Sequence, residues 1–243
     1  MKKIFLVLLS ISTISSISGQ VGKRIKGNGN KITEQRSVGS YDGIGIAGWF
    51  DVELVNGSEG ALTLRGDDNL LEHLETVVKN GTLYIRPEKG YNLQSGSWNS
   101  GGITITVPVK TINEISLSGS GSITGKTKIT SDFFKINVSG SGESALDLAV
   151  EEIKVTLSGS GDITLKGEAK RLDIQVSGSG DVRAYDLQAQ NADAIISGSA
   201  DIFLTATTSL TVRVTGSGDV HYRGNPTKID SKTIGSGNVR AEN

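Results

Sequence analysis

Ser177-Gly178-Ser179-Gly180-Asp181-Val182 is one of seven near-copies of a tetrad that starts at Ser118, Ser139, Ser158, Ser177, Ser197, Thr215 and Ile234, at steps of 21, 19, 19, 20, 18 and 19 residues. A repeat of that length and regularity is the mark of a solenoid, in which each repeat buries its apolar face only by stacking on its neighbours. Alternation through one repeat sends Leu172, Ile174, Val176, Gly178, Gly180, Val182 and Ala184 to one face and Asp173, Gln175, Ser177, Ser179, Asp181 and Arg183 to the other. The glycine pairs Gly119/Gly121, Gly140/Gly142, Gly159/Gly161, Gly178/Gly180, Gly216/Gly218 and Gly235/Gly237, with Gly198/Ala200, are therefore expected inward, at a corner with no room for a side chain. The expected fold is all-β, a single-stranded parallel β-helix with coils of about 19–21 residues and irregular N-terminal coils.

Composition agrees. The chain of 243 residues has 32 glycines, about twice the usual share, and only 3 prolines. Its Ile, Val, Leu and Thr fall in short alternating runs. Residues 1–19 read as a secretory signal peptide, with Lys2 and Lys3 ahead of the apolar run Ile4 to Leu9 and small residues up to Gly19. Losing those two lysines takes the formal charge from −1 to −3, which gives no general attraction to nucleic acid. With no cysteine the exported chain forms no disulfide, and no segment after the leader is apolar enough for a transmembrane helix.

The polar and locally basic residues 20–36 read as a flexible lead-in, and 37–243 as a single β-helical domain with irregular coils over 37–110 and tetrad coils over 111–243. The irregular part is placed by rhythm: alternating segments begin at Ala61, Thr82, Gly102 and Ser122, at steps of 21, 20 and 20, and predict one stacked column. Asn80-Gly81 is a tight-turn signal that also fits a local hairpin, and Asp67 to Leu74 predicts one short helix. At the C-terminus Ser231 and Thr233 take positions held one coil earlier by Val212 and Val214, as expected of a polar end coil.

Signals for chemistry are sparse. Tyr91 and Trp98 sit on a Gly/Ser/Asn-rich loop over 89–102 and are candidate rings for stacking on a sugar; in the structural alternative Trp98 folds over the end of the core. Asp162, Asp181, Asp201 and Asp219 form an outward column where a divalent cation is conceivable. The second nonapeptide copy of a calcium-binding β-roll is missing, however, and aspartates bonded to the corner backbone fit better. Asp181, Arg183, Asp219, His221 and Arg223 would be the catalytic cluster if the scaffold cleaved a polysaccharide, but no nucleophile elbow, zinc motif or phosphate loop accompanies them. No cofactor or metal is expected.

Phe50-Asp51-Val52-Glu53-Leu54, Asp68-Asn69-Leu70-Leu71, Asn80-Gly81-Thr82-Leu83-Tyr84-Ile85 and Ile105-Thr106-Val107-Pro108, followed by Ser-Gly-Ser-Gly-Asp-Ile/Val repeats, resemble the head GIN domain family of putative auto-transporter adhesins over Ser37 to Asn243. The resemblance implies an exported β-helical domain of a bacterial envelope, in the periplasm, on the cell surface or outside the cell, with no catalytic residues to carry over. Its partner would be a glycan or protein of the envelope or of a host surface, and homo-oligomer formation stays open. A polysaccharide-active enzyme and a ligand-free envelope spacer are the alternatives.

Overall fold

The computed structural model describes residues 22–96 and 102–242. In chain order it runs β1 (Lys23–Lys26), β2 (Lys31–Ser37), β3 (Gly43–Gly48), β4 (Asp51–Asn56), β5 (Ala61–Asp67), a helical turn α1 (Asp68–Leu71), β6 (Leu74–Lys79), β7 (Thr82–Pro87), β8 (Tyr91–Gln94) and β9 (Thr104–Val109). The regular coils follow as β10 (Glu114–Gly119), β11 (Ser122–Gly140), β12 (Glu143–Gly159), β13 (Asp162–Gly178), β14 (Val182–Gly198), β15 (Ile202–Gly216), β16 (Val220–Arg223), β17 (Lys228–Gly235) and β18 (Val239–Ala241). From β10 onward every neighbour is parallel, so the chain is a β-solenoid of about 7 turns.

Stacking is in register: Leu157, Val176, Ile196 and Val214 lie in one column, each a coil below the next. Alternation places this column inward, where its members are buried with Ile153, Leu172 and Leu210 in one continuous core. Pairing between coils breaks at two recurring places, apart from register shifts after Thr124, Thr164 and Ala184. One break is the tetrad. The other is a single outward residue, Asp132, Glu151, Lys170 or Gln190, skipped by the ladder on both sides.

The two glycines of a tetrad have different roles. Gly119, Gly140, Gly159, Gly178, Gly198, Gly216 and Gly235 all have φ between 108° and 134°, a region that L side chains rarely enter. They lie at the surface or half-buried, and not inward as plain alternation predicts, because the left-handed residue turns the chain out of the pleat there. The second residues Gly121, Gly142, Gly161, Gly180, Ala200 and Gly218 are buried, and Gly237 in the end coil is half-buried. A Cβ built on Gly180 would stand 1.9 Å from the Gly161 carbonyl oxygen of the coil beneath.

The N-terminal region departs from the predicted column. Gly43–Gly48 lies under β10 with Gly48 opposite Gly119, and Asp51 lies opposite Ser122, so Ala47-Gly48-Trp49-Phe50-Asp51 occupies the place of a tetrad. Phe50 stands where the second glycine recurs and turns its ring beneath Gly48 into the core. The next coil out is made of β7 under β3 and β9 under β4. Chain order and stacking order are therefore exchanged: coil 43–56 sits between residues 82–109 and the tetrad coils. Thr82 pairs with Gly43, Thr104 with Asp51, and Ala61 pairs antiparallel with Ser37, so the segments spaced by about 20 residues are not stacked neighbours.

Residues 57–80 build an end cap. Asn80 and Gly81, with φ of 52° and 78°, form the tight turn of an antiparallel β6–β7 hairpin. The predicted helix shortens to Asp68–Leu71, which buries Leu70 and Leu71. The expected flexible lead-in is largely strand: β1 pairs with β8, and β2 pairs antiparallel with β5. Arg36 fixes β2 to the cap through the Leu71 carbonyl at 2.7 Å, its guanidinium oriented by an ion pair with Glu34 of the same strand at 2.8 Å. At the opposite end β17 is exposed throughout, including Ile229 and Ile234, since no further coil covers it among the described residues.

Candidate functional site

The aspartate column is a hydrogen-bonded ladder. Asp162 Oδ1 accepts the Asp181 amide (3.0 Å), Asp181 Oδ1 the Asp201 amide (3.1 Å), Asp201 Oδ1 the Asp219 amide (2.9 Å) and Asp219 Oδ1 the Asn238 amide (2.7 Å). Each carboxylate thus satisfies a backbone donor that the tetrad break leaves without a ladder partner. Arg183 bridges Asp162 at 3.2 Å and Asp181 at 2.8 Å, which offsets repulsion between stacked charges. Among the described residues no three His, Cys, Asp or Glu side chains are grouped to hold a metal ion.

The five residues weighed as a catalytic cluster are separately engaged. Asp181 and Arg183 belong to the ladder. His221 stacks on Phe203 with ring centroids 5.0 Å apart, and its Nδ1 lies 2.9 Å from Glu242. The Arg223 guanidinium lies 3.9 Å above the Tyr185 ring, which meets Phe203 edge-on. Burial pushes the Tyr185 phenol above its ordinary range, with the Glu242 charge adding to the shift. The outward cluster of Tyr185, Phe203 and His221, of which only Phe203 and His221 are register partners, escaped sequence reading because the three lie on different coils; an aromatic at the second or fourth position after each aspartate was the available signal.

Tyr91 opens β8 with one ring face on His73 at 3.9 Å, and it packs against the core. Trp98 lies outside the described residues. Trp49, at the tetrad place of the early coil, donates its indole N–H to the Leu93 carbonyl at 2.8 Å and so ties β8 to the stack.

A concave feature lies on the other break. A groove of about 830 Å³ crosses successive coils from Asn113 to Thr207. Its floor is small and apolar, with Val150, Ala169 and Ala189 aligned through the register. Along it run the skipped residues Asp132, Glu151, Lys170 and Gln190, with Glu168 and Gln188 beside them. Glu151 and Lys170 are ion-paired. Because the ladder omits one residue per coil here, the outward side chains splay apart and leave a trough parallel to the stacking direction. It offers carboxamides, hydroxyls and charges at a spacing of about 4.8 Å. Of its hydroxyls, Ser131 donates to the Phe133 carbonyl at 2.7 Å and Thr207 to the Ala189 carbonyl at 3.2 Å.

Residues 40–226 match the family model described as putative auto-transporter adhesin, head GIN domain. The chain belongs to this family. Solved structures agree with this head GIN domain along nearly its whole length. A putative adhesin from Bacteroides fragilis NCTC 9343 is 26% identical, with 90% of this chain and 100% of that one covered at a TM-score of 0.82. A putative lipid binding protein from Parabacteroides distasonis ATCC 8503 is 28% identical, with 91% and 100% covered at 0.72. A putative adhesin from Parabacteroides merdae ATCC 43184, at 20% identity and 0.72, shares the fold. No curated protein matches the chain.

Proposed function

We propose that this head GIN domain is a non-catalytic adhesion module of the bacterial envelope that binds an extended glycan along the groove between Asn113 and Thr207. Export by the leader over residues 1–19 would deliver it to the periplasm, the cell surface or the medium. The groove carries the reading: Val150, Ala169 and Ala189 align a small apolar floor over three successive coils between amide, hydroxyl and charged side chains, so an unbranched chain lying along the stack meets a repeated floor and a varied polar rim. Small floor residues let the apolar face of a sugar approach while rim amides bond its hydroxyls, which is how orientation is fixed in mostly apolar sites. A non-enzymatic role is favoured by the mutual engagement of His221, Glu242, Asp181 and Arg183. A protein ligand is the other outcome of the same test.

The test is a glycan array with product analysis, using the wild type and Gln190→Trp, which fills the groove from an exposed position. Saturable binding of an intact glycan, lost in Gln190→Trp, supports the proposal. Release of shortened chains would replace it with an enzymatic function, and binding unaffected by Gln190→Trp would move the site to another face.

A further inference from the structure

Outside the groove, the loop between β1 and β2 and the start of α1 meet in a knot made only of glycine, asparagine and aspartate: Gly27-Asn28-Gly29-Asn30 lies over Asp67-Asp68-Asn69. Asp67 is 3% exposed. Its Oδ2 accepts the Gly29 amide at 3.1 Å and stands 2.1 Å from where a Cβ on Gly27 would be, so the carboxylate points into the loop. Its Oδ1 is buried and has no hydrogen-bond partner. A buried carboxylate oxygen with nothing bound to it is costly, and an ion or water is its usual explanation.

Charge sharpens the choice. Asp68, next in the chain, is held by Asn28 Nδ2 at 2.7 Å, Asn30 Nδ2 at 2.6 Å and the Asn69 amide at 2.6 Å, all neutral donors. These bonds, the Asn28 amide first, hold the Asp68 carboxyl below its ordinary range. Among the described residues neither aspartate has a Lys, Arg or His within ion-pair distance. Lys31 pairs with Asp67 along the backbone, yet its side chain makes no ion pair there. Two adjacent carboxylates, one of them buried, thus lack a cationic partner in a loop whose carboxamide oxygens accept single amides, Asn28 Oδ1 from Asn30 at 2.9 Å and Asn69 Oδ1 from Asn28 at 3.1 Å, and each keep a second lone pair.

The geometry points to a hard divalent cation site, calcium by preference, anchored on Asp67 Oδ1. Asp68, the carboxamide oxygens of Asn28, Asn30 and Asn69, and water would supply the remaining ligands. Six to eight oxygens, flexibly arranged and with few formal charges, is calcium chemistry, whereas magnesium demands a tighter octahedron and soft metals prefer nitrogen and sulfur. The cation would clamp the N-terminal strands to the end cap, because it would touch both the β1–β2 loop and the β5–α1 junction.

The experiment is thermal unfolding of the full chain in chelator, then in millimolar CaCl₂ and MgCl₂, paired with a terbium titration followed by luminescence. Expected are a melting temperature that rises with calcium more than with magnesium, and terbium luminescence that saturates and is displaced by calcium. Asp67→Asn should abolish both. Since Asp67 is buried and its replacement also perturbs folding, the half-buried Asp68→Asn is the second arm, expected to fold and to weaken terbium affinity at least tenfold. An unchanged melting temperature with non-saturating luminescence, or terbium affinity unaltered in Asp68→Asn, overturns the assignment.

Discussion

Replacing Gly178 by alanine tests the tetrad corner where a left-handed backbone and a close approach coincide. The residue has φ of 131°, and a Cβ there would stand 2.2 Å from the Gly159 carbonyl oxygen of the preceding coil. Holding a non-glycine residue at such an angle costs about 1–3 kcal/mol. Relieving the approach requires separating two in-register coils, an overpacking penalty of about 1–3 kcal/mol. The sum, roughly 2–6 kcal/mol, is a large fraction of a typical domain's stability. Ser179, one residue on, is exposed, and Ser179→Ala should stay within about 0.5 kcal/mol of wild type. Ala200, which already carries a Cβ at a second-glycine position, gives a calibration: Ala200→Gly should lose only about 0.5–1 kcal/mol from added chain freedom. Urea unfolding monitored by circular dichroism ranks the three, with amide exchange locating the damage because solenoids can open locally. Coincident curves for Gly178→Ala and Ser179→Ala would refute the role given to the first glycine.

Other consequences are equally specific. Asp201→Ala should cost about 1–3 kcal/mol by stranding the Asp219 amide, whereas Asp201→Asn keeps an acceptor and should be close to neutral; denaturation midpoints decide. Arg36→Ala removes the donor to the Leu71 carbonyl and the partner of Glu34, so about 1.5–3 kcal/mol should be lost and exchange should quicken first in β2 and α1. Acid should loosen the N-terminal region. Glu34, bonded to Arg36, is held below its ordinary 4.5, and so is Glu59, where burial is outweighed by the Thr111 and Lys110 amides. The unfolded chain therefore binds protons first, and the stability these groups supply is present above pH of about 4.5 and fades as pH falls below it. Thermal melts across pH 3–6 measure this, and a melting temperature that rose on acidification through that range would contradict it.

The tetrad coils were legible because two periods coincide in them: alternation marks inward residues, and the spacing of 18 to 21 residues marks the stack. The corner was half legible. Pattern alone treats Gly178 and Gly180 alike, while the backbone needs a left-handed residue at one and an absent side chain at the other. Residues 37–110 misled for a physical reason: alternation identifies a strand without naming its partner, and strand plus turn returns about every 20 residues whether the neighbour is parallel or antiparallel. Ala47-Gly48-Trp49-Phe50-Asp51 carried the true register, disguised by Phe50 at a glycine position. The groove was invisible because Asp132, Glu151, Lys170 and Gln190 share no chemistry; they share only a place where the ladder skips a residue.

The most direct measurement is a crystal structure of the domain with a glycan selected from the array. An intact oligosaccharide should lie parallel to the stacking direction over Val150, Ala169 and Ala189, with Gln188 and Gln190 bonded to its hydroxyls. Sugar density instead at Tyr91 or beside Tyr185 and Phe203, or a cleaved chain in the groove, would contradict it.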